Sequence, residues 1–116
     1  MNRIKKVLRL EKEEYYKKHL LIINHILPIQ MTPKEAETLA GFMSLEGDIA
    51  DDPFGTSGRK IVKRKLGISS GGLGNYLDQL KKKGFIILQD NKLTILPILT
   101  PERKTQGYQF KLEIDE

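Results

Sequence analysis

At 116 residues the chain has room for one domain of ordinary size, and 39% hydrophobic against 30% charged residues supports a packed core rather than global disorder. There are no cysteines, which excludes a disulfide framework and a thiolate metal site. Twenty Lys and Arg against fifteen Asp and Glu give a net charge of +5, a mild lean toward polyanionic partners.

The first ten residues fit two patterns. Ile4, Val7 and Leu8 suit a helix face, whereas Leu8 and Leu10 alternate around Arg9 as in a strand. Residues 11–27 read as a helix, because Tyr16, Leu20, Ile23 and Leu27 fall on one stripe. Glu11, Glu13 and Glu14 sit where the helix dipole favours acids, and Pro28 stops the run. The apolar run at 20–23 is too short for a leader peptide or a membrane span, so a cytoplasmic protein with no membrane contact is expected.

Thr32 opens a second helix over 33–45, with Pro33 at its first position and Glu35 completing a capping box. Ala36, Leu39, Ala40 and Met43 form its apolar stripe. Residues 46–55 are an acidic loop with Asp48, Asp51 and Asp52, pinned by Phe54. The loop lacks calcium-ligand spacing and reads as solvated. A third helix, 57–66, is capped by Thr56 or Ser57 and turns Ile61, Val62 and Leu66 inward. Gly67 is its left-handed cap, and Ile68 is expected to be buried. Ser69 or Ser70 caps a fourth helix, 70–83, with Leu73, Tyr76, Leu77 and Leu80 on one face and Gly84 closing it. Two short apolar runs, 85–89 and 92–96, flank Asp90-Asn91, a hairpin turn. Tyr108, Phe110, Leu112 and Ile114 alternate with Gln109, Lys111, Glu113 and Asp115, which predicts a final strand over 108–114.

The run from Arg59 to Ile86 resembles the helix-turn-helix of winged-helix proteins. A basic helix is followed by Leu66-Gly67-Ile68-Ser69, then by a helix ending Leu80-Lys81-Lys82-Lys83-Gly84-Phe85-Ile86. The resemblance covers residues 32–96. It implies an α+β winged helix, preceded by an N-terminal helix in 1–31 and followed by a loop and strand in 97–116, all in one domain. In that family the second helix enters a major groove of double-stranded DNA and the first crosses the backbone, which suits a regulator. Arg59, Lys60, Lys63 and Arg64 would then hold phosphates. Ser70, Gly71, Asn75, Gln79 and Lys82 would face the groove, and Asn91 and Lys92 would form the wing tip. Asn75 and Gln79 have side chains able to bind adenine bidentately. Asp78 on the same face is unfavourable against a polyanion. Gly71, Gly72 and Gly74 lower helix stability and suit the close approach of another backbone.

Asn24-His25-Ile26-Leu27-Pro28, Phe54-Gly55-Thr56-Ser57 and Gly71-Gly72-Leu73-Gly74-Asn75-Tyr76-Leu77 resemble a small protein of tailed phages, including the crAss-like kind. This second likeness implies a virion structural protein, a neck or tail connector ring. It would be a homo-oligomer that contacts copies of itself and other virion proteins. The acidic loop and the basic helix, neither with a partner evident in sequence, would meet between copies. His19 and His25 have no acid or cysteine placed to complete a metal site or a triad. No phosphate-cradling motif follows Gly71–Gly74. No enzyme activity, no cofactor and no small-molecule substrate are therefore expected.

Overall fold

A computed structural model of the chain describes residues 3–101 and 104–115. Its elements run α1 (Lys12–Ile23), α2 (Pro33–Met43), α3 (Thr56–Leu66), α4 (Ser70–Lys82), β1 (Ile86–Gln89) and β2 (Lys92–Ile95). Short 3-10 turns follow α1 at Asn24–Ile26, α2 at Gly47–Asp51 and β2 at Pro97–Leu99. Four helices and a two-stranded antiparallel hairpin make an α+β architecture compatible with a winged-helix layout.

The core forms around α2. Ala36, Leu39, Ala40 and Phe42 are buried on it, and α1, α3 and α4 all pack against it. Leu20 from α1, Val62 from α3, and Leu73, Leu77 and Leu80 from α4 complete one cluster with Phe85, Ile86 and Leu99. Phe54 stacks on Phe42 with ring centroids 4.6 Å apart, so the loop after α2 is pinned as expected. Gly58 allows that closure: a Cβ there would lie 1.8 Å from the Pro53 carbonyl oxygen.

Two of the N-terminal caps follow the sequence closely, those of α2 and α4. Thr32 Oγ1 accepts the Glu35 N–H at 3.2 Å, and Glu35 Oε1 accepts the Thr32 N–H at 2.8 Å. Ser69, rather than Ser70, caps α4 by accepting the Gly72 N–H at 3.0 Å. Gly67 ends α3 in the left-handed region at φ 64°. Neither Thr56 nor Ser57 caps α3; both lie inside it, and Gly55 is its N-cap. Ile68 is half-buried rather than buried. Helix α1 stops at Ile23 instead of 27, where Asn24 leaves the helix to clamp Met31. Asn24 Oδ1 accepts the Met31 N–H at 2.7 Å and Nδ2 donates to its carbonyl at 3.0 Å. Asp90 and Asn91 both take positive φ, 52° and 62°, as the tight hairpin requires.

The predicted strand over 108–114 does not form. Those residues pair with no strand, and Leu112 and Ile114 are 96% and 88% exposed. Alternation describes a strand with one buried face, and within this chain the segment neither pairs with a strand nor covers an apolar surface. Only its start is held. Tyr108 Oη and His19 Nδ1 are 2.5 Å apart, and His19 Nε2 lies 2.9 Å from the Leu99 carbonyl. A carbonyl only accepts, so Nε2 carries the proton and the Tyr108 hydroxyl donates to Nδ1.

One buried charge ties the two ends of the core together. Glu35 is almost wholly buried and accepts from Lys83 Nζ at 2.6 Å, and Lys83 also donates to the Gln30 carbonyl at 3.0 Å. Burial alone would raise the Glu35 pKa. The bonds from Lys83 and Thr32 outweigh it and hold the carboxyl below its ordinary value. Its stabilising contribution is therefore full above the usual carboxylate range and lost as pH falls through the lowered value. Replacing Lys83 with Met leaves that carboxylate buried and unpaired, and should cost about 3 kcal/mol at neutral pH in denaturant unfolding. Gly58→Ala should cost at least about 2 kcal/mol in the same assay, because the clash is with backbone.

Candidate nucleic-acid or partner interface

The helix-turn-helix is built by α3, the Gly67–Ser69 turn and α4. Val62 on α3 and Leu73, Leu77 and Leu80 on α4 face the core, which sets the opposite faces outward. All the expected site residues on these helices lie at the surface. Arg59, Lys60 and Arg64 are exposed on α3, and Ser70, Gly71, Asn75, Gln79 and Lys82 are exposed on α4. Asp78 shares that surface.

Two of the basic residues also hold the frame. Lys63 is half-buried and donates to Ser70 Oγ at 3.0 Å, so it links the two helices. Arg59 Nε donates to the Phe54 carbonyl at 2.7 Å, which leaves the rest of its guanidinium at the surface. Lys60 and Arg64 make no ion pair among the described residues. They are the freest cations of the helix.

The acidic loop and the basic helix each find a partner within the chain, and both partners come from α1. Lys12 pairs with Glu46 at 2.9 Å, and Lys65 pairs with Glu13 at 2.6 Å. Sequence reasoning missed this because it assigned α1 a dipole role for its acids and no tertiary neighbour. Asp48, Asp51 and Asp52 stay exposed.

The hairpin tip, Asn91 and Lys92, is exposed and stands beside the acidic loop: Lys92 and Asp90 line a cleft with Asp51. The site residues therefore divide into an α3–α4 surface, joined by the Lys63–Ser70 bond, and a hairpin tip near the loop.

Gly71 and Gly74 have open space around them. A Cβ at Gly74 would meet nothing within 4 Å, and one at Gly71 would meet only Ser69 Oγ at 4.0 Å. Packing within the chain does not require glycine at either position.

Among the described residues, no group of three or more His, Asp or Glu side chains gathers closely enough to hold a metal ion. No helix among them is long and apolar enough to cross a membrane. No family model, curated protein or solved structure matches the chain.

His19, set aside in sequence as a lone histidine, is the residue that fastens the C-terminal segment to α1. Burial pushes its pKa below the ordinary value, against the opposing effect of the Leu99 carbonyl. The detached state thus takes up a proton at higher pH than the folded one. The contact is at full strength above the normal histidine pKa and weakens as pH falls through the lowered folded value. Proteolysis near residues 104–111 should accelerate between pH 7.5 and pH 5, and His19→Gln should abolish that dependence.

Proposed function

We propose that the chain is a winged-helix nucleic-acid-binding protein, with α4 as the element that enters a duplex groove. The observation carrying this reading is the outward face of α4. Gly71 and Gly74 are open, and Asn75, Gln79 and Lys82 stand exposed on the same helix. Each interior glycine costs a helix roughly 1 kcal/mol relative to alanine. A cost with no return inside the fold points to a surface that something outside approaches closely. Asn75 and Gln79 present donor and acceptor pairs suited to base edges, and Lys60 and Arg64 on α3 supply phosphate contacts. A regulator of transcription is the role this arrangement serves.

Gly74→Ala should stabilise the fold by about 1 kcal/mol while weakening duplex binding. Replacing Lys60 and Arg64 with Ala should weaken binding to all sequences and flatten the salt dependence by about 0.9 per lost phosphate contact. Asn75→Ala should relax preference at one base pair, at a cost of roughly 1 to 3 kcal/mol. Filter binding across a salt series measures these effects. A wild-type chain without salt-dependent binding to any duplex would sink the reading.

A different observation favours a second reading, a virion structural protein of the neck or tail in which the same fold builds a ring. Both ends of the described chain carry large apolar side chains in the open, among them Ile4, Val7, Phe110, Leu112 and Ile114. Exposed apolar surface of this kind marks association. Electron microscopy of the purified chain separates the two readings: closed rings support assembly, and discrete monomers or dimers favour the regulator.

A further inference from the structure

We infer that the N-terminal arm of a second copy, residues 7–10, adds as a strand to the free edge of β2, inside the cleft between that strand and the acidic loop. This contact is independent of the nucleic-acid reading and would give the assembly reading its interface.

The hairpin geometry exposes the edge. β1 and β2 pair antiparallel with Ile86 opposite Ile95 and Gln89 opposite Lys92, and the Leu96 N–H donates to the Phe85 carbonyl at 2.9 Å. In an antiparallel pair, alternate residues turn their backbone groups to the partner strand. Lys92, Thr94 and Leu96 therefore face β1, and Leu93 and Ile95 turn their N–H and C=O groups to the other side. Neither Leu93 nor Ile95 has a partner for those groups among the described residues. An edge left this way is a template for another strand.

A cleft of about 430 Å³ lies along this strand, with Met43, Leu45, Leu93 and Ile95 among its apolar lining and two carboxylates, Asp51 and Asp90, against one cation, Lys92, in its walls. Exposed Asp48 and Asp52 flank Asp51 on the loop. The occupant must be extended, apolar on one face and basic.

The arm meets all three conditions. Residues 3–10 form no helix, and they carry Arg3, Lys5, Lys6 and Arg9 without an acid. Leu8 and Leu10 fall on one side of an extended chain and Arg9 on the other. Four residues span about 13 Å, the length of β2 itself. The C-terminal segment fits the charge poorly: it holds Glu113 and Asp115, and its Lys111 is already paired with Glu113 at 3.2 Å. The arm of the same copy stands clear of its own body, with Ile4 98% and Val7 82% exposed. Residues 3–11 contain no Gly, Pro, Asn or Asp with which to reverse direction and fold back. A second copy is the remaining donor, and a head-to-tail contact of this kind propagates into a ring when its rotation closes.

The absence of cysteine makes the test direct. Opposite residues on neighbouring strands share a face, so with Leu8 and Leu10 on the face of Leu93 and Ile95, Arg9 lies on the face of Thr94. Full-length Arg9→Cys and Thr94→Cys chains are mixed under mild oxidation and resolved on a non-reducing gel. The expected result is a mixed disulfide dimer, suppressed at least fivefold in 1 M salt. In parallel, amide exchange of the unmodified chain should slow at Leu93 and Ile95 by at least tenfold from low to high protein concentration. Leu8→Asp, at a position already exposed, should remove that slowing. The proposal is overturned if the Arg9→Cys/Thr94→Cys double variant cross-links only within one chain. It is equally overturned if Lys111→Cys captures Thr94→Cys in place of Arg9→Cys, or if Leu93 and Ile95 exchange at the same rate at every concentration. A ring that forms without this cross-link would leave the assembly reading standing and remove this contact from it.

Discussion

Everything else in the molecule is arranged around the burial of α2. Three helices cover it, and the one carboxylate it takes inside, Glu35, is held by the capping hydrogen bonds of its own helix and by Lys83 from the far end of α4. That ion pair joins two points forty-eight residues apart in sequence. It sets where α4 ends, and therefore where the chain turns at Gly84 into β1. A lysine running parallel to Lys81 and Lys82 in sequence thus has a structural office that its exposed neighbours lack. A buried pair of this sort contributes less net stability than its short distance suggests, because both charges lose water. What it fixes is geometry: Lys83, at the C-cap of α4, is held to Glu35 and to the Gln30 carbonyl at once.

Local rules carried most of the fold into the sequence. The Thr32–Glu35 capping box, the Gly67 cap and the Asp90-Asn91 turn each depend on a few neighbouring residues, and each is found where the pattern puts it. The leucines of the α2 and α4 stripes were equally readable, because helical spacing alone selects Leu39, Leu73, Leu77 and Leu80 as inward residues, whereas Met43 and Tyr76, placed on the same stripes, are only half-buried and Phe42 is buried instead of Met43. What failed depends on distant partners. Alternation over 108–114 says that a strand is possible, but whether one forms is decided by pairing with an edge, and the segment pairs with none in the chain. His19 looked inert because its two partners, Leu99 and Tyr108, lie eighty and eighty-nine residues away. The helical end at Ile23 was hidden for the same reason: Asn24 is an acceptable helix residue until Met31 claims its amide.

The candidate site was legible in a similar proportion. Sequence places Asn75, Gln79 and Lys82 on the outer face of α4 with little ambiguity, since the opposite face is fixed by leucines. It does not reveal that the basic residues of α3 have different duties. Lys63 braces α4 through Ser70, Arg59 closes on the loop carbonyl of Phe54, and Lys65 answers Glu13 on α1. A charge run of five residues therefore resolves into three braces and two free cations, and the electrostatic field the helix offers a partner is smaller than its composition suggests.

The acidic loop also has less unpaired charge in the fold than in sequence. In sequence it sits next to the basic helix, and pairing the two between copies is the simplest assembly. In the fold, α1 answers one charge on each, Glu46 through Lys12 and Lys65 through Glu13. What is left unanswered on the loop is Asp48, Asp51 and Asp52, and Asp51 lines the hairpin cleft. On the basic side, outside α3 and α4, the arm that leads into α1 carries four cations, Arg3, Lys5, Lys6 and Arg9, with no ion pair among the described residues. The open strand edge and the acidic wall belong to one cleft, whereas the free cations with alternating leucines belong to a segment that stands away from it. The two halves of this interface are thus already present in a single chain and kept apart by its own geometry, which is the condition under which identical copies satisfy one another.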